Sequence, residues 1–162
     1  MTSDPSLAVT RQPPPQIVLR VFNPLFSALL RSPAHALIDS SFLILHVTGR
    51  RTGKRYDVVV TRHELDGGLT VMTNSPWRLN TRGGAEVEVT SRGQTRRGHA
   101  VLVEDADQVS DAYAAEIARY GWKAAQRPLG LKLPGRAPTR DELRAAVVRE
   151  QLALIRVTLD PA

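Results

Sequence analysis

Residues 41–74 read SFLILHVTGRRTGKRYDVVVTRHELDGGLTVMTN, and the fold class turns on how this stretch is parsed. Residues 41–48 (SFLILHVT) are a short apolar run of the length of a buried strand. Residues 49–54 (GRRTGK) hold two glycines and four polar or cationic residues, the composition of a tight turn. Residues 55–64 (RYDVVVTRHE) are rich in β-branched side chains and form a second strand. The sequence Leu65-Asp66-Gly67-Gly68 is a hairpin signal, and 69–74 (LTVMTN) supply the third strand.

Further along, Ser75-Pro76 opens a short helix over 76–82 that stops at Gly83-Gly84. Residues 85–90 (AEVEVT) alternate, with Val87 and Val89 facing inward and Glu86 and Glu88 outward. The turn Arg92-Gly93-Gln94 leads to a fifth strand over 95–104. A helix over 105–120 carries Val109, Tyr113, Ile117 and Tyr120 on one face and ends at Gly121. Residues 129–138 form a Gly/Pro-rich loop. Thr139-Arg140-Asp141-Glu142 is a capping box for a helix reaching about Arg149. The last strand, 152–159, has Ala153, Ile155, Val157 and Leu159 on one face.

On the N-terminal side, residues 1–15 contain Pro13-Pro14-Pro15 and few apolar anchors, which predicts a disordered arm. Residues 16–40 predict a helical segment. Asn23-Pro24 and Ser32-Pro33 each pair an N-cap with Pro at the first helical position, ahead of apolar residues such as Leu25, Phe26, Leu29 and Leu37. The remainder, 41–162, is expected to be a mainly β domain with peripheral helices. Short strands joined mostly by hairpins suggest an antiparallel split β-barrel, since closing the sheet removes its edges. The absence of βαβ alternation and of GxGxxG disfavours a dinucleotide-binding doubly wound fold.

Composition narrows the chemistry. The chain has 162 residues, 42% of them hydrophobic and 23% charged, which suits one globular domain. With no cysteine, disulfides, thiolate metal sites and thiol nucleophiles are excluded, in keeping with a cytoplasmic protein. His35, His46, His63 and His99 are not spaced as a metal motif. No serine sits in a GxSxG context and no pair of carboxylates stands out, so hydrolytic triads and glycosidase dyads find no support. The net charge of +6 points to an anionic partner. Aromatics are only 5% of the chain and none lies in the Arg92, Arg96, Arg97 cluster, which argues against nucleic acid. The apolar face of the 16–40 helices suggests instead a peripheral contact with an anionic membrane.

Two local features carry chemistry. In Thr48-Gly49-Arg50-Arg51-Thr52-Gly53-Lys54-Arg55, the glycines allow an anion to approach the backbone, the hydroxyls donate and the cations neutralise. The same composition also describes a solvated basic turn. In Trp77-Arg78-Leu79-Asn80, Trp77 suits stacking on a planar ring or anchoring a helix, and Asn80 suits a heterocycle or a tie to the sheet. His46, mid-strand between apolar residues, reads as a satisfied core or pocket histidine.

These two motifs, in this order, resemble the deazaflavin-dependent nitroreductase family, with its T-T-G-R-K-T-G turn and later W-x-x-N-L segment. The likeness covers roughly residues 20–105. It implies a split barrel like that of the FMN-binding pyridoxamine-phosphate oxidases, the deazaflavin coenzyme F-420 or alternatively FMN as cofactor, and often a homodimer or a membrane surface. By the same resemblance Arg50, Arg51, Thr52 and Lys54 would hold the anionic tail. The ring would lie on Tyr56, Asp57, Val58 and Val60 within 56–60, and on Thr73, Asn74, Trp77 and Asn80. The implied activity is hydride transfer from the reduced coenzyme to a hydrophobic acceptor such as a quinone or nitroaromatic. The alternatives are a non-catalytic carrier for F-420, flavin or another anionic ligand, and a basic membrane-peripheral module. Two departures from the family pattern are Val58-Val59-Val60-Thr61 in place of N/S-P-L-[YF], and Asn74-Ser75-Pro76 in place of a longer S-K-G-G loop.

Overall fold

In the computed structural model, residues 7–12, 28, 32–33 and 41–162 are described. Among the described residues the strands are β1 (Thr10–Arg11), β2 (Phe42–Thr48), β3 (Arg55–Thr61), β4 (His63–Leu65), β5 (Gly68–Thr73), β6 (Ala85–Ser91), β7 (Gln94–Val103), β8 (Leu131–Lys132) and β9 (Ala153–Leu159). From residue 41 onward the helices are α1 (Ala106–Tyr120), α2 (Trp122–Leu129) and α3 (Arg140–Glu150), with a 3-10 turn at Pro76–Thr81. The chain divides into two compact units, one of 15–102 with 155–162 and one of 1–14 with 103–154.

The first unit is a seven-stranded sheet in the order β3-β2-β6-β7-β9-β5-β4. The pairings β2/β3, β2/β6, β6/β7 and β4/β5 are antiparallel. The two outermost strands, β3 and β4, are consecutive pieces of chain separated only by Arg62. One bent strand therefore pairs with β2 at one end of the order and with β5 at the other, and the sheet curls back on itself. Arg62 marks the corner: its N–H donates to Ser41 O at 2.8 Å and its guanidinium reaches Glu64 and Ser91. This is the split-barrel class of antiparallel sheet, reached by closure through a corner rather than through a uniform strand. The sequence had suggested one unbroken strand over 55–64; the corner at Arg62 is what closure requires.

Alternation sorts the side chains of this unit. Leu43, Leu45, Val47, Val71, Val87, Val89, Ala100, Ile155 and Val157 form its buried core, with Val58, Val60, Leu69, Trp77, Leu102 and Leu159 packed against them. Burying a side chain of this size contributes about 1.5–3 kcal/mol relative to leaving it exposed. The inward set on β9 includes Ile155, Val157 and Leu159, as the spacing of that strand predicts.

In the second unit, Asp105 caps α1 by accepting from Gln108 N–H at 2.9 Å. Thr139 and Glu142 form the expected capping box of α3. The α1 and α3 helices are tied by Arg144 to Asp107 at 2.8 Å and by Arg140 to Asp111 at 3.3 Å, each partner pair one helical turn from the next. The α2 helix, with Pro128 in its last turn, has no counterpart among the sequence expectations. Residues 7–12 also depart from the predicted disordered arm: β1 pairs antiparallel with β8, and Arg11 Nη1 donates to Leu129 O at 2.9 Å. Val9 is fully buried, and that apolar anchor is why this part of the arm is held. The rest of the arm, and the helices expected over 16–40 with the membrane contact attached to them, fall outside the described residues, apart from 28 and 32–33. Among the described residues no helix is long and apolar enough to cross a membrane.

Candidate functional site

The basic turn between β2 and β3 closes on itself. Gly49 N–H donates to Lys54 O at 2.8 Å, Gly53 N–H to Gly49 O at 2.9 Å, and Lys54 N–H to Thr52 Oγ1 at 3.2 Å. Gly49 is required here by contact: a Cβ at that position would lie 2.9 Å from Thr52 Oγ1 and 3.0 Å from Tyr56 Cε2. The Tyr56 ring therefore lies against the turn backbone, and it is 40% exposed. Gly53 adopts φ +66°, a conformation that glycine takes without strain. Arg50, Arg51, Thr52 and Lys54 are all exposed.

The Pro76–Thr81 turn is built differently. Pro76 sets the first φ, and Ser75 N–H donates to Thr73 Oγ1 at 3.0 Å. The buried Arg78 folds back, its Nη1 donating to Asn74 O at 2.9 Å and Ser75 O at 3.1 Å. Thr81 Oγ1 donates to Arg78 O at 2.7 Å. Trp77 packs half-buried against the barrel core. Asn80 Nδ2 donates to Trp77 O at 3.0 Å. The sequence predicts a helix here; six residues led by proline settle instead into the tighter 3-10 form.

The two motifs meet. Arg50 N–H donates to Asn80 Oδ1 at 3.0 Å, and Arg50 Nη1 donates to Leu79 O at 3.2 Å. Cationic turn, Tyr56 ring and Trp77 turn thus form one continuous region of the sheet unit. Leu79 and Arg78 belong to it although the sequence assigned neither a role. The signal for Arg78 lay in its place, two residues after a proline whose preceding carbonyls it could reach.

The other candidates sort by strand alternation. Tyr56, Val58 and Val60 share a face of β3, and Val58 and Val60 pack on the core. Thr73 is buried and its hydroxyl accepts from Ser75, while Asn74 is half-buried. Asp57 faces the opposite side of β3 and joins a separate network. There His46 Nδ1 donates to Asp57 Oδ1 at 2.6 Å, since a carboxylate only accepts. His46 Nε2 meets Thr90 Oγ1 at 2.7 Å, and Thr90 Oγ1 meets Thr95 Oγ1 at 2.7 Å. Arg55 bridges Asp57 and Glu88, each at 3.2 Å. A cavity of about 360 Å³ lies on this face, lined by His46, Thr48, Arg55, Glu86, Glu88 and Arg97 among others. Both ring nitrogens of His46 are engaged and the ring is 5% exposed, so the histidine cross-links β2, β3 and β6. The arrangement has the order of an Asp-His-hydroxyl relay, but Thr90 is itself buried and presents no nucleophile.

No family model matches the chain, and no curated protein matches it. A solved structure described as a domain-swapped dimer is similar over 86% of this chain and 98% of its own, at 13% sequence identity and a TM-score of 0.43.

Proposed function

We propose that this chain is a deazaflavin-dependent oxidoreductase, which binds reduced coenzyme F-420 by its anionic tail and planar ring and serves a hydrophobic acceptor of the quinone or nitroaromatic kind. The observation that carries the reading is the 3.0 Å hydrogen bond from Arg50 N–H to Asn80 Oδ1, which unites the basic turn with the Trp77 turn. A ligand with an anion at one end and an aromatic ring at the other needs both features side by side. The donor set fits such a ligand. Arg51, Lys54 and the Thr52 hydroxyl suit a phosphate and carboxylate tail, and Tyr56 and Trp77 offer aromatic surface. Bound, the coenzyme would supply the hydride, two electrons with one proton, and the reduced acceptor would take its second proton from bulk solvent once released. The role of the chain is to anchor the tail, orient the ring and exclude water. No side-chain acid is required, in keeping with a His46 whose two nitrogens are occupied.

A non-catalytic carrier for the same coenzyme, or for FMN, is the second reading. The short connection through Asn74 and Ser75 favours it, because Arg78 holds both carbonyls and leaves little loop to cover a reacting ring. Titration of the purified protein with oxidised F-420, and with FMN in parallel, at low and moderate salt tests both. Saturable binding of F-420, weakened by salt, followed by quinone-dependent oxidation of the reduced coenzyme, is expected. Binding without turnover selects the carrier, binding of FMN alone replaces the cofactor, and binding of neither overturns the proposal.

A further inference from the structure

We infer that Thr95 is a nucleophilic hydroxyl, activated through Thr90, His46 and Asp57, that takes an acyl group from activated esters. This chemistry lies on the face of the sheet opposite the core. It needs neither the basic turn nor a cofactor, so it stands or falls apart from the proposed function.

Strand register builds a line of four side chains. His46 stands opposite Asp57 across β2 and β3, and Thr90 opposite Thr95 across β6 and β7. All four alternate away from the core residues of their strands. His46 Nδ1 lies 2.6 Å from Asp57 Oδ1, His46 Nε2 lies 2.7 Å from Thr90 Oγ1, and Thr90 Oγ1 lies 2.7 Å from Thr95 Oγ1. The carboxylate sets the direction of every hydrogen in the line. Asp57 only accepts, so the neutral imidazole carries its proton on Nδ1 and presents a lone pair at Nε2. The single Thr90 hydrogen then goes to Nε2, and Thr90 Oγ1 accepts from the Thr95 hydroxyl. Thr90 and His46 are buried, at 3% and 5% exposure, whereas Thr95 is exposed. The line thus ends on a reachable hydroxyl with its hydrogen turned inward and its lone pairs outward.

Acyl transfer follows from that polarity. Thr95 Oγ1 attacks the ester carbonyl carbon, its proton passes to Thr90 Oγ1, and the Thr90 proton passes to His46 Nε2. Asp57, held by Arg55 at 3.2 Å, stabilises the imidazolium that forms. The ester C–O bond then breaks, the leaving group departs as an anion, the acyl group stays on Thr95 and His46 returns its extra proton to solvent. Activated esters are the class that fits, because such a leaving group asks the line for no proton. Arg97 shares this face of β7 two residues beyond Thr95. It lines, with His46, Arg55 and Glu88, the cavity of about 360 Å³, which brings positive charge and room for a small donor to this face. The charged groups around His46 are Asp57 and Arg55 of β3, Glu86 and Glu88 of β6 and Arg97 of β7. An imidazolium at His46 would donate from both nitrogens and reverse the two hydroxyls, so the nucleophile requires the neutral ring.

Reaction of the purified protein with 4-nitrophenyl acetate, followed by mass-spectrometric peptide mapping, tests the assignment. Thr158 of β9 is an exposed strand hydroxyl outside the line and serves as the internal reference. Wild-type Thr95 should be acetylated about tenfold or more faster than Thr158. That ratio should rise with pH and level off as His46 becomes neutral. Thr90→Val keeps the shape and removes the relaying hydroxyl; it should cut acetylation of Thr95 about tenfold or more and abolish the rise with pH. Thr90→Ser should restore both. A circular dichroism spectrum equal to that of the wild type shows that each variant is folded, and should Thr90→Val fail to fold, the wild-type ratio and its pH profile decide alone. Acetylation of Thr95 no faster than that of Thr158 overturns the assignment. So does a folded Thr90→Val protein that reacts at Thr95 like the wild type, since His46 would then be a cross-link between strands and nothing more.

Discussion

Tyr113 is fully buried on α1, and among the described residues its hydroxyl meets no hydrogen-bond partner. Burial pushes the phenol well above its ordinary titration range, with the positive charge of Arg11 opposing in part. A buried hydroxyl without a partner costs folding free energy that an apolar edge would not. Tyr113→Phe should therefore leave stability unchanged or raise it by about 1 kcal/mol, read as an equal or higher denaturant midpoint with the same slope; a loss above about 1 kcal/mol would show a hydrogen bond to the hydroxyl. The helical spacing of Val109, Tyr113 and Ile117 made this position legible as core, while the fate of the hydroxyl was not. His46 gives the complementary case. Its apolar neighbours in sequence identified it as a satisfied histidine, but its partners Asp57 and Thr90 come from two other strands.

At the scale of elements, α3 shows how much a short motif fixes. Thr139 accepts from Glu142 N–H at 3.2 Å, and Glu142 Oε2 accepts from Thr139 N–H at 2.8 Å. Arg136 adds a bidentate contact to the Glu142 carboxylate at 2.7 and 2.8 Å. The guanidinium first, and the Thr139 N–H second, hold the carboxyl down at about 2. A carboxylate with a depressed folded-state pKa stabilises the protein above its ordinary value of 4.5, and that contribution is lost as pH falls toward about 2. The thermal midpoint of the wild type should accordingly drop across this acid window. Glu142→Gln should start lower at neutral pH and show a smaller drop over the same window; parallel curves for the two proteins would refute the linkage. The α2 helix shows the opposite limit. WKAAQRPL buries only Ala125 and Leu129, too few apolar positions to display a helical period in sequence.

Over the whole molecule, closure of the sheet depends on one residue of chain. The strand that begins at Arg55 pairs with β2 up to Thr61, turns at Arg62, and pairs with β5 from His63. Lengthening that corner would uncouple the two ends of the sheet, whereas lengthening the Asp66-Gly67 hairpin adds only loop entropy. Insertion of two glycines after Arg62 should lower the melting temperature by roughly 5 °C or more, and the same insertion between Asp66 and Gly67 by about 2 °C or less. Equal effects at the two places would mean that the corner does not close the barrel.

Strands β2, β5, β6, β7 and β9, the basic turn, the α3 cap and the antiparallel barrel class were determined by the sequence, because alternation, turn chemistry and capping are read over a few neighbouring residues. Tertiary structure alone decided that β3 and β4 close the sheet through Arg62 and that Arg50 reaches Asn80, thirty positions away. It also decided that Asp57 turns from Tyr56 and Val58 to His46, and that Val9 anchors residues 7–12. Each of these depends on which strands become neighbours, and that choice is made by burial and backbone hydrogen bonding across the whole sheet rather than by any local run of side chains.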